Sequence, residues 1–282
     1  MLKSSIAVAS AIGGLLAFTT VGTAMAADAV SGLNGKAAIE GTYNNNDNQT
    51  GEFGGMFLGS VTAPLSNEFG VQADTVLGLH DGNPVSGIGG HLFWRDPTTG
   101  LVGVTASYLN IDNSGSMPDK SVTRFGGEGE YYSGPFTIAL TSGYQNGSNV
   151  ADGFYGSATG YWYPNENLRL GIGAKNDAEV KTSGVISAEY MPDPMNMPGM
   201  SLFADASAGG SYNPSSANVG VRFYFASDNK SLLRRNREDD PINNLPGDSI
   251  DSATNGQSPA QACLARGPGY RWTGGACVPN VS

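Results

Sequence analysis

Between Leu33 and Phe225 apolar and polar residues alternate with a period of two, in one stretch after another. The last stretch is the most regular. Val219, Val221, Phe223 and Phe225 fall on one face of an extended strand, and Asn218, Gly220, Arg222 and Tyr224 on the other. Successive side chains of a strand point to opposite faces, so the pattern predicts a strand with one apolar and one polar side. The same alternation, followed back along the chain, predicts twelve strands at residues 33–43, 52–63, 68–80, 85–95, 101–110, 122–132, 136–145, 154–163, 168–175, 179–190, 200–210 and 217–225. Most run about 9–13 residues. A tilted barrel strand needs about 9–11 residues to cross a bilayer, whereas strands of soluble sandwiches are nearer 5–6.

Charge separates the two faces. Leu33, Ala37, Ile39 and Tyr43 oppose Lys36, Glu40 and Thr42; Phe69, Val71, Ala73, Leu77 and Leu79 oppose Gln72, Asp74 and His80; Leu168, Leu170, Ile172 and Ala174 oppose Arg169 and Lys175; Val180, Ile186, Ala188 and Tyr190 oppose Glu179, Lys181 and Glu189. A charge facing lipid costs roughly 2–4 kcal/mol at the midplane, so bilayer exposure demands this segregation. The polar face is expected to line a lumen with Lys36, Glu40, Glu52, Asp74, His91, Arg95, Arg124, Glu128, Glu130, Arg169, Lys175, Lys181, Glu189 and Arg222.

The connections alternate as well. Those after strands two, four, six, eight and ten all contain proline; those after strands one, three, five, seven and nine are richer in Asn, Asp and Gly. Proline sets tight turns, and Gly or Asn supplies positive φ in hairpin loops. Tight turns on one rim and looser loops on the other match a barrel with a periplasmic and an external end. An even strand number puts both barrel ends on the proline-turn rim. Trp94, Tyr132, Tyr161, Trp162, Tyr163 and Tyr190 lie beside those turns and are expected to form an interfacial girdle.

Composition agrees. The 282 residues include 41 Gly, 2 Cys and 2 His, with 14% charged and 39% hydrophobic, and the mean hydropathy is −0.20. A helical membrane protein would be greasier; a barrel needs apolar residues only at alternate positions. Lys3, the apolar run Ile6 to Phe18 and Ala24-Met25-Ala26 read as a signal peptide over residues 1–26, leaving 27–32 as a periplasmic lead-in. The net charge of −10 argues against nucleic-acid partners.

Signal peptide, alternating strands and the closing Val219-x-Val221-x-Phe223-x-Phe225 together resemble Gram-negative outer-membrane β-barrel proteins as an architecture. The resemblance implies an all-β, closed antiparallel up-and-down transmembrane barrel over 33–225. It also implies a location in the outer membrane, contact with lipid and lipopolysaccharide, and recognition of the closing strand by the outer-membrane assembly machinery. Such closing strands often end a chain; here 57 residues follow Phe225.

That tail is expected to be a disordered periplasmic linker over 226–258, low in bulky apolar residues, followed by a segment 259–282 closed by a Cys263–Cys277 disulfide. Its basic-then-acidic run, Lys230 to Asp240, reads as a solvated linker or as a contact for anionic headgroups or the cell wall. The lumenal set Ser60, Asp74 and His91 is the best catalytic candidate, with Asp74 opposite both Ser60 and His91. Aspartate in the middle is the wrong order for a hydrolytic triad, so no enzyme is expected. No cofactor motif or calcium-loop spacing is present, and no metal site is expected. The function expected is a narrow porin-like passive channel. A non-transporting structural or surface-interaction barrel and a soluble secreted β-protein are the alternatives.

Overall fold

The computed structural model describes residues 28–46, 49–113, 118–192, 199–210, 214–225, 230–250, 253, 263, 269–273 and 277–279. The signal-peptide expectation falls outside them. Twelve strands form one closed antiparallel barrel in which each pairs with its neighbours in the chain and the first pairs with the last. They are β1 Asn34–Asn46, β2 Gln49–Pro64, β3 Phe69–His80, β4 Asn83–Asp96, β5 Gly100–Ile111, β6 Lys120–Ser133, β7 Phe136–Ser148, β8 Gly153–Asn165, β9 Leu168–Asp177, β10 Lys181–Tyr190, β11 Met200–Ala208 and β12 Ser215–Phe225. The closing seam runs from Gly35 opposite Phe225 to Asn45 opposite Ser215. Closure leaves no edge strand with unpaired backbone groups, the condition for a sheet in hydrocarbon.

The two faces behave as the alternation requires. Ile39, Phe53, Phe154, Ile172 and Val219 on the outer wall are between 65% and 72% exposed, while Lys36, Asp74, His91, Arg95, Arg124, Arg169 and Glu189 on the inner wall are each below 9%. A polar interior inside an apolar exterior reverses the arrangement of a water-soluble domain.

Two local expectations are corrected. Residues 178–180 form the turn between β9 and β10, so Lys181 is an exposed rim residue at φ 69° rather than a lumen residue, and Val180 is buried rather than lipid-facing. Of the expected aromatic girdle, Trp162 and Tyr190 do face outward, but Tyr132 and Tyr163 are 3% exposed and point into the barrel. Tyr163 differs in parity from Trp162, and parity decides the face.

The described residues after the barrel include three short helical segments: α1 Leu232–Arg234, a π-helical turn Arg235–Asp239, and α2 Leu245–Asp248. Ser231 caps α1, its hydroxyl accepting the Arg234 N–H. Asn244 caps α2 in the same manner, accepting from the Gly247 N–H. A two-stranded ribbon, β13 Tyr270–Trp272 with β14 Cys277–Pro279, pairs Trp272 with Cys277. Cys277 is disulfide-bonded to Cys263.

Candidate functional site

The lumen is occupied by the chain's own tail. Residues 230–250 were expected to be a disordered periplasmic linker; they are ordered and run inside the barrel. The reason is local supply of partners. A segment with few apolar residues cannot build a core of its own, but here the barrel wall provides the charges, amides and apolar side chains that satisfy it.

The contacts form a series along the barrel axis. At the proline-turn rim, Leu232 is buried against Tyr163, Met191 and Tyr224. Arg237 donates to the Phe136 carbonyl at 2.8 Å and lies over the Tyr132 ring, and Asn236 donates to the Tyr163 hydroxyl at 3.1 Å. Arg95 clamps the next turn. Its Nη2 donates to the Asp239 carbonyl at 2.9 Å and its Nε to Ala29 O at 2.6 Å, which ties the segment preceding β1 to the same point. Ala29 and Val30 are buried there, so residues 28–31 pack on the barrel instead of leading loosely into it.

Further in, Lys36 Nζ donates to the carbonyls of Pro241 and Ile242, and Thr62 donates to Asp240 at 3.0 Å. Gln72 donates to the Asn243 carbonyl at 3.1 Å. The Leu245 N–H donates to Asp74 at 3.0 Å. Pro246 then fills the space over β4, where a Cβ on Gly87 or Gly89 would come within 2.8 or 3.0 Å of its ring; glycine is required there by close approach. Near the opposite rim Arg124 donates to the Asp248 carbonyl at 3.2 Å. Ile250 and Ala253 join an apolar cluster of Met56, Val76, Val85, Leu109, Ile111 and Val122, and Lys120, the first residue of β6, donates to the Ala253 carbonyl at 2.9 Å.

Beside the tail remains a cavity of about 270 Å³. It is lined on the wall side by Glu40, Arg124, Arg169, Lys175, Asp205 and Arg222, and on the tail side by residues from Ile242 to Ile250. Three of its arginines lie over aromatic rings: Arg124 on Tyr155 at 4.5 Å, Arg169 on Tyr161 at 4.8 Å and Arg222 on Phe203 at 4.4 Å. Such stacking holds a guanidinium in place while leaving its edge to polar partners. Glu189 joins two of them, accepting from Arg169 at 2.8 Å and Arg222 at 2.6 Å, and also from Ser201 and Tyr224.

The expected lumen residues are therefore brought together, with two qualifications of position. Lys181 lies at the rim, and Glu52 pairs with His80 at 2.9 Å, where its side chain is 17% exposed. The Ser60–Asp74–His91 arrangement is partly as expected. Ser60 does oppose Asp74, but His91 opposes Gln72 and reaches Asp74 diagonally at 2.8 Å. Its other ring nitrogen meets Glu128 at 2.8 Å. Both nitrogens are engaged by carboxylates, so neither is left to take a proton from a serine. The Val219, Val221, Phe223 and Phe225 row faces outward along the closing seam.

The tail could have been found in the sequence by one signal. Met56, Val76, Val85, Leu109, Ile111 and Val122 have lumen parity yet are apolar. Six apolar side chains on a face assigned to water call for a cover.

No protein-family model matches the chain, and no curated protein matches it. Among solved structures it is similar to an outer-membrane channel from Pseudomonas putida F1, with 9% identity, a TM-score of 0.54, and 73% of this chain and 100% of that chain covered. It is also similar to the KdgM porin, with 12% identity, a TM-score of 0.48, and coverage of 67% and 99%. At these identities the likeness is one of fold: a closed up-and-down barrel of the outer-membrane type.

Proposed function

We propose that this chain is an integral β-barrel of the Gram-negative outer membrane acting as a narrow, porin-like passive channel for small polar solutes, its bore restricted by its own tail. The observation that carries the reading is the pairing of an apolar outer wall with a charged inner wall that encloses a cavity of about 270 Å³ beside the tail. Both signs of charge line that cavity, Arg124, Arg169, Lys175 and Arg222 together with Glu40, Asp177, Asp205 and Asp248. Selectivity is then a matter of size and polarity rather than of one strong charge. The outer wall is in contact with lipid and lipopolysaccharide, and the row ending at Phe225 is the strand offered to the assembly machinery. Catalysis is not part of the reading, given the engagement of both nitrogens of His91.

The occupied lumen favours a second reading, a structural barrel that conducts nothing. Single-channel recording of the purified full-length chain in planar bilayers separates the two. Discrete conductance steps are expected. A membrane-inserted, heat-modifiable barrel that stays silent across voltages would remove the channel reading and leave the structural one.

A further inference from the structure

The tail leaves β12 at the proline-turn rim. Its contacts move steadily away from that rim. On β3 alone, Gln72 meets Asn243, Asp74 meets Leu245, and Val76 belongs to the cluster containing Ile250 and Ala253. On β6, Arg124 meets Asp248, and Lys120, the rim residue of the loop end, meets Ala253. Two residues of wall correspond to about two to five residues of tail, and the series ends at the far mouth.

We propose that the tail is a complete additional pass of the chain from one side of the barrel to the other. The ribbon of β13 and β14, tied by the Cys263–Cys277 disulfide, then stands at the loop-bearing rim, opposite the rim where β1 begins and β12 ends. This rests on the barrel being membrane-embedded, as proposed above. Ten residue steps, with nine residues between, lead from Ala253 to Cys263. Fully extended they reach at most about 35 Å, little more than the roughly 30 Å hydrocarbon thickness. A return would need that segment almost straight, with a second row of backbone polar groups drawn past the apolar cluster at the mouth.

Charge points the same way. From Cys263 to the end the chain has two arginines, Arg266 and Arg271, and no acidic side chain. The loop rim is acidic on balance, with Asp81, Asp112, Asp119, Asp152 and Glu179 in or beside its connections against Lys120 and Lys181. A basic ribbon emerging among acidic loops meets attraction, and its exposed Arg271 is left available to anionic groups at that surface.

The test places one short epitope at three positions of the full-length chain: in the 112–119 connection of the loop rim, in the 192–198 connection of the proline-turn rim, and after Ser282. Antibody binding is compared on intact and permeabilised cells. The expected result is that the epitope after Ser282 behaves like the loop-rim epitope and unlike the proline-turn one. Behaviour matching the proline-turn epitope would overturn the proposal. Equal access to all three in intact cells would refute the membrane placement itself, and the crossing with it.

Discussion

Deleting residues 226–282 should widen the conducting path, by an amount the geometry sets. Twelve strands at about 4.8 Å spacing and about 40° tilt form a ring about 75 Å round, with a backbone radius of about 12 Å. Inward side chains take about 5 Å of that, half the separation of stacked sheets, and leave a bore of about 7 Å radius and roughly 150 Å². A helical turn about 10–12 Å across covers about 80–110 Å² of it. Conductance scales with open cross-section, so the unit step should rise about two- to fourfold when the tail is removed. The wall keeps its seam, because Gly35–Asn45 pair with β12 residues that precede the deletion. Heat-modifiable gel mobility checks that the shortened barrel is closed, and planar-bilayer recording gives the step size. A closed, tail-less barrel with an unchanged unit conductance would refute the assignment of the tail as the constriction.

Two substitutions probe the walls. Glu189→Gln removes the buried carboxylate shared by Arg169 and Arg222 inside the barrel, near the proline-turn rim. Loss of one partner from a buried ion pair costs about 3–5 kcal/mol, so the urea midpoint of the detergent- or vesicle-folded barrel should fall clearly, and an unchanged midpoint would contradict the pairing. Ile39→Lys places a charge on the outer wall at a residue 71% exposed. In lipid vesicles it should cost up to about 2–4 kcal/mol, measured by the same urea titration; a neutral effect would mean that this face does not meet hydrocarbon.

The wall was legible in the sequence because a period of two is imposed residue by residue. Each strand spanning a bilayer carries enough positions to state its faces, as β1 does with Ile39 out and Lys36 and Glu40 in. Ends and registers were less legible. The turn after β3 is the two residues Asp81 and Gly82, both at positive φ, instead of the longer Asp81–Pro84 connection. That difference moves His91 from Asp74 to Gln72 across the pair. Long side chains then restore the Asp74–His91 contact diagonally. The tail was not legible from its own residues. Leu232, Leu245 and Ile250 are widely separated apolar residues in a polar stretch, and no period links them. Their partners are spread from β2 to β12, and a local pattern holds no information about a cover supplied from so far away.

A ring that closes by joining its first and last members, with a thread through its centre, constrains the order of events. Either the thread is fed through a finished hoop, or the hoop is drawn shut around it. Feeding it through would drag Arg271, Arg266 and Asp248 along a narrow bore one after another, while Arg237 and Asp239 stay near the entry. Shutting the hoop around it lets Lys36, on the first ribbon, meet the Pro241 carbonyl while the gap beside that ribbon is still open. The tail then serves as a mandrel on which the wall is wound, and a chain lacking it must bring Lys36, Asp74 and Arg95 together around water alone.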